Sequence, residues 1–445
     1  MAMQLRLRWL VGVILVALAV AAVPGPAVGA TRTAAAGRTS YLLDASYVVH
    51  IALDWTASSL DVTTDMEADN QSGGPISRLE LNTVAAELGH MHLTEASVDG
   101  TAVAPRVSGQ TLIVTLPQVL TKNGHVSVHT RYRATLLNSV AGHDWLWADT
   151  AGVASVYRSI PWLSARKSFK RNNIGDPFVT PVASSVRVTF TSATAVQFAT
   201  TGTKVASTEP GVTYEAHDVR DFNFTASRKY VALSGKTLDG QTRLQVMTRW
   251  ATSRQQQHML DVAQRAIAQY DTWVGKLPCP VVTIAETAGG SAMESPCLIW
   301  IPKGAGANVD YLIAHELGHQ WFYGVVGNDQ AADPFLDEGM TDFLARTFLH
   351  QLRASRCPEA PLDLSIYQYS GICYYETIYI QGSLFLKQLK QTMGHRLFWD
   401  TLQAFWANQR YTVSSTFQLL EAFRAAAGDV VLPLYQARFP SLYPH

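Results

Sequence analysis

Asp310-Tyr311-Leu312-Ile313-Ala314-His315-Glu316-Leu317-Gly318-His319-Gln320-Trp321-Phe322-Tyr323 sets two histidines four residues apart, with a glutamate directly after the first. On a helix, residues four apart lie on one face, so both imidazoles can point at one metal ion. Glu316 projects alongside them, near enough to handle a water without being a ligand. Zinc suits two neutral nitrogens plus a carboxylate and leaves one position for water, whose pKa it lowers to about 7. Taken alone, the same pattern is met by a helix whose histidines merely cap a core.

Working outward, Glu338 follows with eighteen residues between it and His319, in Asp333-Pro334-Phe335-Leu336-Asp337-Glu338-Gly339-Met340-Thr341-Asp342-Phe343. A second helix beginning near Leu336 would present Glu338 as a third ligand. Asp342 lies one turn further along that face. It is expected to accept a hydrogen bond from a ligand imidazole, as metal-bound histidines usually require, the alternative being a solvated helix-face carboxylate.

These residues resemble the aminopeptidase N family of zinc metallopeptidases (gluzincins), whose pattern is His-Glu-x-x-His, eighteen residues, then Glu. The resemblance implies one Zn2+ per chain, held by His315, His319 and Glu338, with Glu316 as general base. It extends to Gly289-Gly290-Ser291-Ala292-Met293-Glu294-Ser295-Pro296, which resembles the family's Gly-x-Met-Glu-Asn edge strand. Met293 and Glu294 match its Met and its amine-binding Glu, while Ser295 stands where many members carry Asn. An ordinary edge-strand carboxylate is the other reading of Glu294. Tyr379, three residues before Gly382, matches the family's Tyr-x-x-Gly oxyanion donor, with Tyr374 and Tyr375 left open. Asp149 is only a positional guess for a second acidic amine-binding residue.

The chain on either side of this constellation changes grammar. From Tyr41 to about Gly235 it is strand-like, with runs such as Tyr47–Leu53, Leu112–Leu116 and Val186–Phe190 between turn clusters. After about Thr242, helical periods appear at Leu260–Val274, Asn308–Tyr323, Leu336–Leu349, Tyr379–Thr392, Arg396–Trp406 and Phe417–Ala427. The expected fold is α+β. An all-β saddle or sandwich domain (31–240) precedes a mostly helical domain (241–445), which the resemblance makes thermolysin-like. The chain ends soon after that half, so the large helical C-terminal domain of many relatives is expected to be absent and the cleft open.

Arg6 and Arg8 precede an uncharged run from Trp9 to Val23 and a small-residue exit at Val28-Gly29-Ala30. This describes a secretory signal peptide (1–30) cut after Ala30, hence a secreted protein with no stable membrane span afterwards; an anchor formed by an uncleaved signal is the minority reading. All four cysteines lie in the second half. The sequence-local pairings Cys279–Cys297 and Cys357–Cys373 are favoured, because both close short loops in an oxidising compartment.

Composition bounds what remains. Thirty-five Lys plus Arg balance thirty-five Asp plus Glu, which offers no bulk attraction to nucleic acid. Arg158, Arg166, Lys167, Lys170 and Arg171, interleaved with Trp162 and Phe169, are read as a solvated loop. His90 and His92 are read as surface residues. Asn70-Gln71-Ser72 and Asn223-Phe224-Thr225 fit the glycosylation pattern. The functional expectation is a secreted zinc aminopeptidase acting on peptides. A zinc endopeptidase with an open cleft and a non-catalytic peptidase-like binding module are the alternatives. Side-chain preference, physiological substrate and oligomeric state are not legible.

Overall fold

A computed structural model describes residues 40–164, 179–208 and 211–444. The export signal read at 1–30 and the basic residues Arg166, Lys167, Lys170 and Arg171 lie outside the described residues. An eight-stranded sheet dominates the first half, in the spatial order Thr203–Thr208, Gly211–Val219, Ala183–Thr191, Leu43–Asp54, Ser59–Asn70, His125–Thr135, His92–Val98, Thr101–Ala102. Leu43–Asp54 alternates buried and exposed side chains along its whole length, the signature of a sheet with one solvated face. Two four-stranded sheets cover its inner side, one built around Val153–Val156 and Phe224–Ser227, the other around Ile76–Asn82 and Thr111–Leu120. Together these sheets enclose an aromatic-rich core that includes Tyr47, Trp147, Phe190 and Phe224.

The second half opens on a five-stranded mixed sheet, ordered Val231–Lys236, Arg243–Thr248, Val281–Thr287, Leu298–Pro302, Met293–Ser295. Every side chain of Val281–Thr287 is buried, as expected of a central strand covered on both faces. The sheet straddles position 240, because the strand Val231–Lys236 pairs with Arg243–Thr248 rather than with the strands before it. Trp300, on the Leu298–Pro302 strand, packs edge-on against Trp145 and Tyr157 and so joins the two halves through one core.

Helices then pack on this sheet. Ser253–Trp273 starts in a capping box between Thr252 and Gln255, and buries Met259, Leu260, Ala263, Ala266, Ile267 and Tyr270 at helical spacing. Val309–Gly318 is shorter than the period over Asn308–Tyr323 predicts. Beyond His319 the backbone turns, and Tyr323 adopts φ 112°, which no right-handed helix accommodates. The next helix, Met340–Phe348, is entered through a π-helical turn at Phe335–Gly339. Likewise Gly382–Met393 follows a π-helical turn at Glu376–Gln381. The helices His395–Asn408 and Thr416–Ala427 complete the layer. Both favoured disulfides form, Cys279–Cys297 and Cys357–Cys373.

Three surface readings need correction. Arg158 is buried, paired with Asp221 at 3.2 Å, and Trp162 stacks on Tyr47 in the core, so neither belongs to a solvated loop. Asn70 is wholly buried, its amide donating to the carbonyl oxygens of Gly74, Leu120 and Thr121. Asn223 is wholly buried too and bonds to Asp221 and Ser295. The tripeptide pattern carries no information about accessibility, and both amides are consumed by the fold. His90 and His92 are exposed, as read.

Candidate metal centre and cleft

Helix geometry and one glycine bring the candidate ligand set together. His315 and His319 sit one turn apart at the end of Val309–Gly318, and Glu338 arrives from the π-helical turn that leads into the adjacent helix. Gly318 lets these helices touch: a Cβ there would stand 2.8 Å from Thr341 Cγ2, closer than carbon atoms pack. His315 Nε2 and His319 Nε2 are 3.3 Å apart, and Glu338 Oε2 lies 3.2 Å from the first and 3.4 Å from the second.

That near-equilateral triangle fits zinc. A tetrahedral ion with bonds of about 2.0–2.1 Å holds its ligand atoms about 3.3–3.4 Å apart. The three side chains are buried, and Glu338 Oε2 has no hydrogen-bond partner among the described residues. A buried carboxylate oxygen without a donor is costly unless a cation meets it. Burial works to raise the Glu338 carboxyl, but His319 and His315 together hold it well below the ordinary carboxylate range.

Around the triangle, the histidines are held differently. His319 Nδ1 donates to Asp337 Oδ1 at 2.7 Å, and Asp337 Oδ2 accepts from Gln330 Nε2 at 2.7 Å. This fixes the tautomer and leaves Nε2 free to bind metal. The residue that supports a ligand imidazole is therefore Asp337, not Asp342. Asp342 instead accepts from Tyr311 at 2.6 Å, Arg346 at 2.8 Å and Ser383 at 2.7 Å. The α-helical period singled out position 342, but the chain between 335 and 339 follows a wider turn that brings Asp337, adjacent to Glu338, onto His319. The only signal in the sequence was an acid beside the third ligand.

The other candidate residues converge on the same place. Glu316 is buried, and burial pushes its carboxyl up to about 7 against the pull of His315 and His319. Glu294, on the edge strand Met293–Ser295, is buried as well, and carboxylate oxygens of Glu294 and Glu316 and a His319 nitrogen all lie within 4.8 Å of one another. Both carboxylates, the ligand triad and Met293 line a cleft of about 620 Å³. Tyr374 and Tyr379 line it too, and the Tyr379 ring stacks on His315 with centroids 5.4 Å apart. Tyr375 turns away, its hydroxyl accepting from Arg346 at 2.7 Å. Asp149 stands elsewhere, accepting from Ser58 at 2.8 Å. Further lining, with no signal in the sequence, comes from His143, Trp145 and Leu146 of the β-rich half and from Ile366, Tyr367 and Tyr369 inside the Cys357–Cys373 loop.

The geometry can be compared with that of known proteins. Residues 281–371 match the family model described as the peptidase family M1 domain. That match spans 91 of the 445 residues. The matched stretch contains Glu294, the helix Val309–Gly318 with His315, and also His319 and Glu338. The fold is similar to that of an M1 zinc metallopeptidase from Deinococcus radiodurans, with a TM-score of 0.67, 20% identity, and 89% of this chain and 94% of the other covered. A mutant of the Deinococcus radiodurans enzyme bound to a Tyr-Ser-Ala substrate aligns with a TM-score of 0.66 at 18% identity, covering 89% of this chain and 94% of that one. These are likenesses of fold. A curated rice protein (Oryza sativa subsp. japonica), Aminopeptidase M1-B, is 25% identical over 253 residues, which is 47% of this chain and 29% of the rice protein's length. The chain thus spans less than a third of that relative's length.

Proposed function

We propose that this chain is a secreted zinc aminopeptidase of the M1 type that removes N-terminal residues from peptides. The observation that carries the reading is the 3.2–3.4 Å triangle of His315, His319 and Glu338, with Glu294 and Glu316 beside it in one cleft. When bound, the ion supplies Lewis acidity to a water and to the scissile carbonyl.

The chain's own residues do the rest. Glu316 takes the proton of the attacking water and later passes it to the leaving amine. Its buried position, which favours a carboxyl that exchanges protons near neutrality, supports that role. Tyr379 donates a hydrogen bond to the oxygen on which negative charge develops, a preorganised contact of the kind worth about 3 kcal/mol. Glu294 pairs with the substrate's α-ammonium, which would otherwise leave water uncompensated, and so sets the register from the N-terminus. Secretion rests on the leader-like residues 6–30 and on two disulfides in a chain without free cysteine among the described residues. Among the described residues no helix is long and apolar enough to cross a membrane.

One experiment tests the reading: zinc content of the purified protein, together with hydrolysis of an aminoacyl chromogenic amide with and without chelator. Stoichiometric zinc and chelator-sensitive turnover are expected. Glu316→Gln should keep the zinc and lose nearly all turnover; wild-type turnover in that variant would remove Glu316 as the base. Equal cleavage of N-blocked and free peptides would replace the aminopeptidase reading with an endopeptidase.

A further inference from the structure

The two ligand histidines are supported by unlike means. His319 Nδ1 is held by the Asp337 carboxylate, whereas His315 Nδ1 is buried with no hydrogen-bond partner among the described residues. A metal ligand without a partner on its far nitrogen needs another source of orientation. Two tyrosine rings provide it. Tyr311 stacks on His315 with centroids 5.5 Å apart and planes 27° from parallel, and Tyr379 stacks on it at 5.4 Å and 20°.

Both tyrosines lead to one guanidinium. Arg346 lies over the Tyr311 ring, 4.6 Å from its centroid, and its Nη2 donates to the Tyr375 hydroxyl at 2.7 Å. The Tyr375 ring in turn packs on Tyr379 at 4.7 Å. Arg346 is itself locked by Asp342, with Nε 3.0 and 2.8 Å from the two carboxylate oxygens, and Asp342 also anchors the Tyr311 hydroxyl. The Arg346 side chain is 8% exposed and that of Asp342 0%, so solvent does not loosen the pair. Arginine suits such a junction because its planar fork can stack on one ring while donating to another group.

We propose that Arg346 is a positioning residue which, acting through Tyr311 and Tyr375, aims His315 at the metal and Tyr379 at the reacting carbonyl. The proposal rests on zinc binding by the triad. It assigns the orienting work on His315 to an aromatic clamp in place of a carboxylate.

The test is zinc affinity, by competition with a chromogenic chelator, together with kcat and KM for an aminoacyl amide. Arg346→Met should weaken zinc binding about tenfold or more and lower kcat with little change in KM. Because Arg346→Met leaves the Asp342 charge alone in the interior, the double variant Asp342→Leu/Arg346→Met, which removes both charges, is measured alongside it. It should show the same loss. Tyr311→Phe keeps the stack and should hold zinc within twofold of wild type, whereas Tyr311→Leu should not. Folded Arg346 variants with wild-type zinc affinity and kcat overturn the proposal while leaving the zinc peptidase reading intact. Equal zinc affinity in Tyr311→Phe and Tyr311→Leu overturns it as well, since stacking would then be irrelevant. A wild-type protein that binds no zinc overturns both.

Discussion

Asn223 Nδ2 donates to Ser295 Oγ across 2.8 Å, and this bond ties the β-rich half to the edge strand that carries Glu294. It belongs to a buried cluster. Ser295 Oγ also meets Thr201 at 3.0 Å, Asn223 donates to Asp221 at 3.1 Å, and Asp221 pairs with Arg158 at 3.2 Å and accepts from Tyr323. The short Ser295 hydroxyl is thus committed to the fold.

Asp221→Ala is therefore expected to be among the most damaging substitutions outside the cleft. It removes the Asp221 carboxylate from the buried Arg158 guanidinium, and breaking a buried ion pair in this way costs about 3–5 kcal/mol. Asn223→Ala removes a donor shared by Ser295 and Asp221 and should cost about 2 kcal/mol. Thermal unfolding compares the two; an Asp221→Ala protein as stable as wild type would show that the pair contributes nothing.

At the helix crossing, Gly318→Val should separate the elements that carry the ligands. The added carbons meet Thr341, a β-branched neighbour with little freedom to move, at a first contact of 2.8 Å. Overpacking of this kind costs about 1–3 kcal/mol. Zinc content and unfolding should fall together, and unchanged values in both would show that the helices can part freely.

Glu376 gives a pH dependence. Its carboxylate accepts both terminal nitrogens of Arg353, at 2.9 and 2.6 Å, and the Arg356 backbone N–H at 2.9 Å, which pushes its pKa down to about 2. A folded-state pKa below the ordinary value of about 4.3 means the ionised form stabilises the fold above that pH. The contribution is lost as pH falls from about 4.3 towards 2. In urea titrations, Glu376→Gln should be less stable than wild type at pH 7, with the gap narrowing below pH 4. A gap that widens on acidification would contradict the assignment.

Substrate preference follows from the charge of the cleft. Glu294, Glu316, Asp337 and Glu338 line it, with no Lys or Arg among its described lining residues. Even with a divalent ion in place, an acidic first residue would meet a wall of like charge. Peptides beginning with Asp or Glu should show kcat/KM at least about tenfold below those beginning with Leu or Tyr. Comparable values for both sets would mean that the first side chain sits outside this cleft.

Much of the site was legible because its chemistry is local in sequence. Helical spacing alone pairs His315 with His319, and short loops alone favour the two observed disulfides. Other features depend on long-range partners and leave no periodic trace. Arg158 looked solvent-facing beside other cations, yet its partner Asp221 is sixty-three positions away. The five-stranded sheet escaped notice because its central strand, buried on both faces, does not alternate. A regular helical period singles out Asp342, whereas the backbone widens there and brings Asp337 onto His319.

That widening has a consequence for how the protein tolerates change. Glu338 and Tyr379 both ride on π-helical turns, and Gly339 of one turn lies close beneath the Ile378 carbonyl of the other. Each such turn holds a residue more than an α-turn would. Deleting any single residue from either would let an ordinary helix form and swing the neighbouring side chains by about 100°. The aim of these two groups is thus written in chain length as much as in residue identity, so insertions and deletions here should be far less forgiving than conservative exchanges.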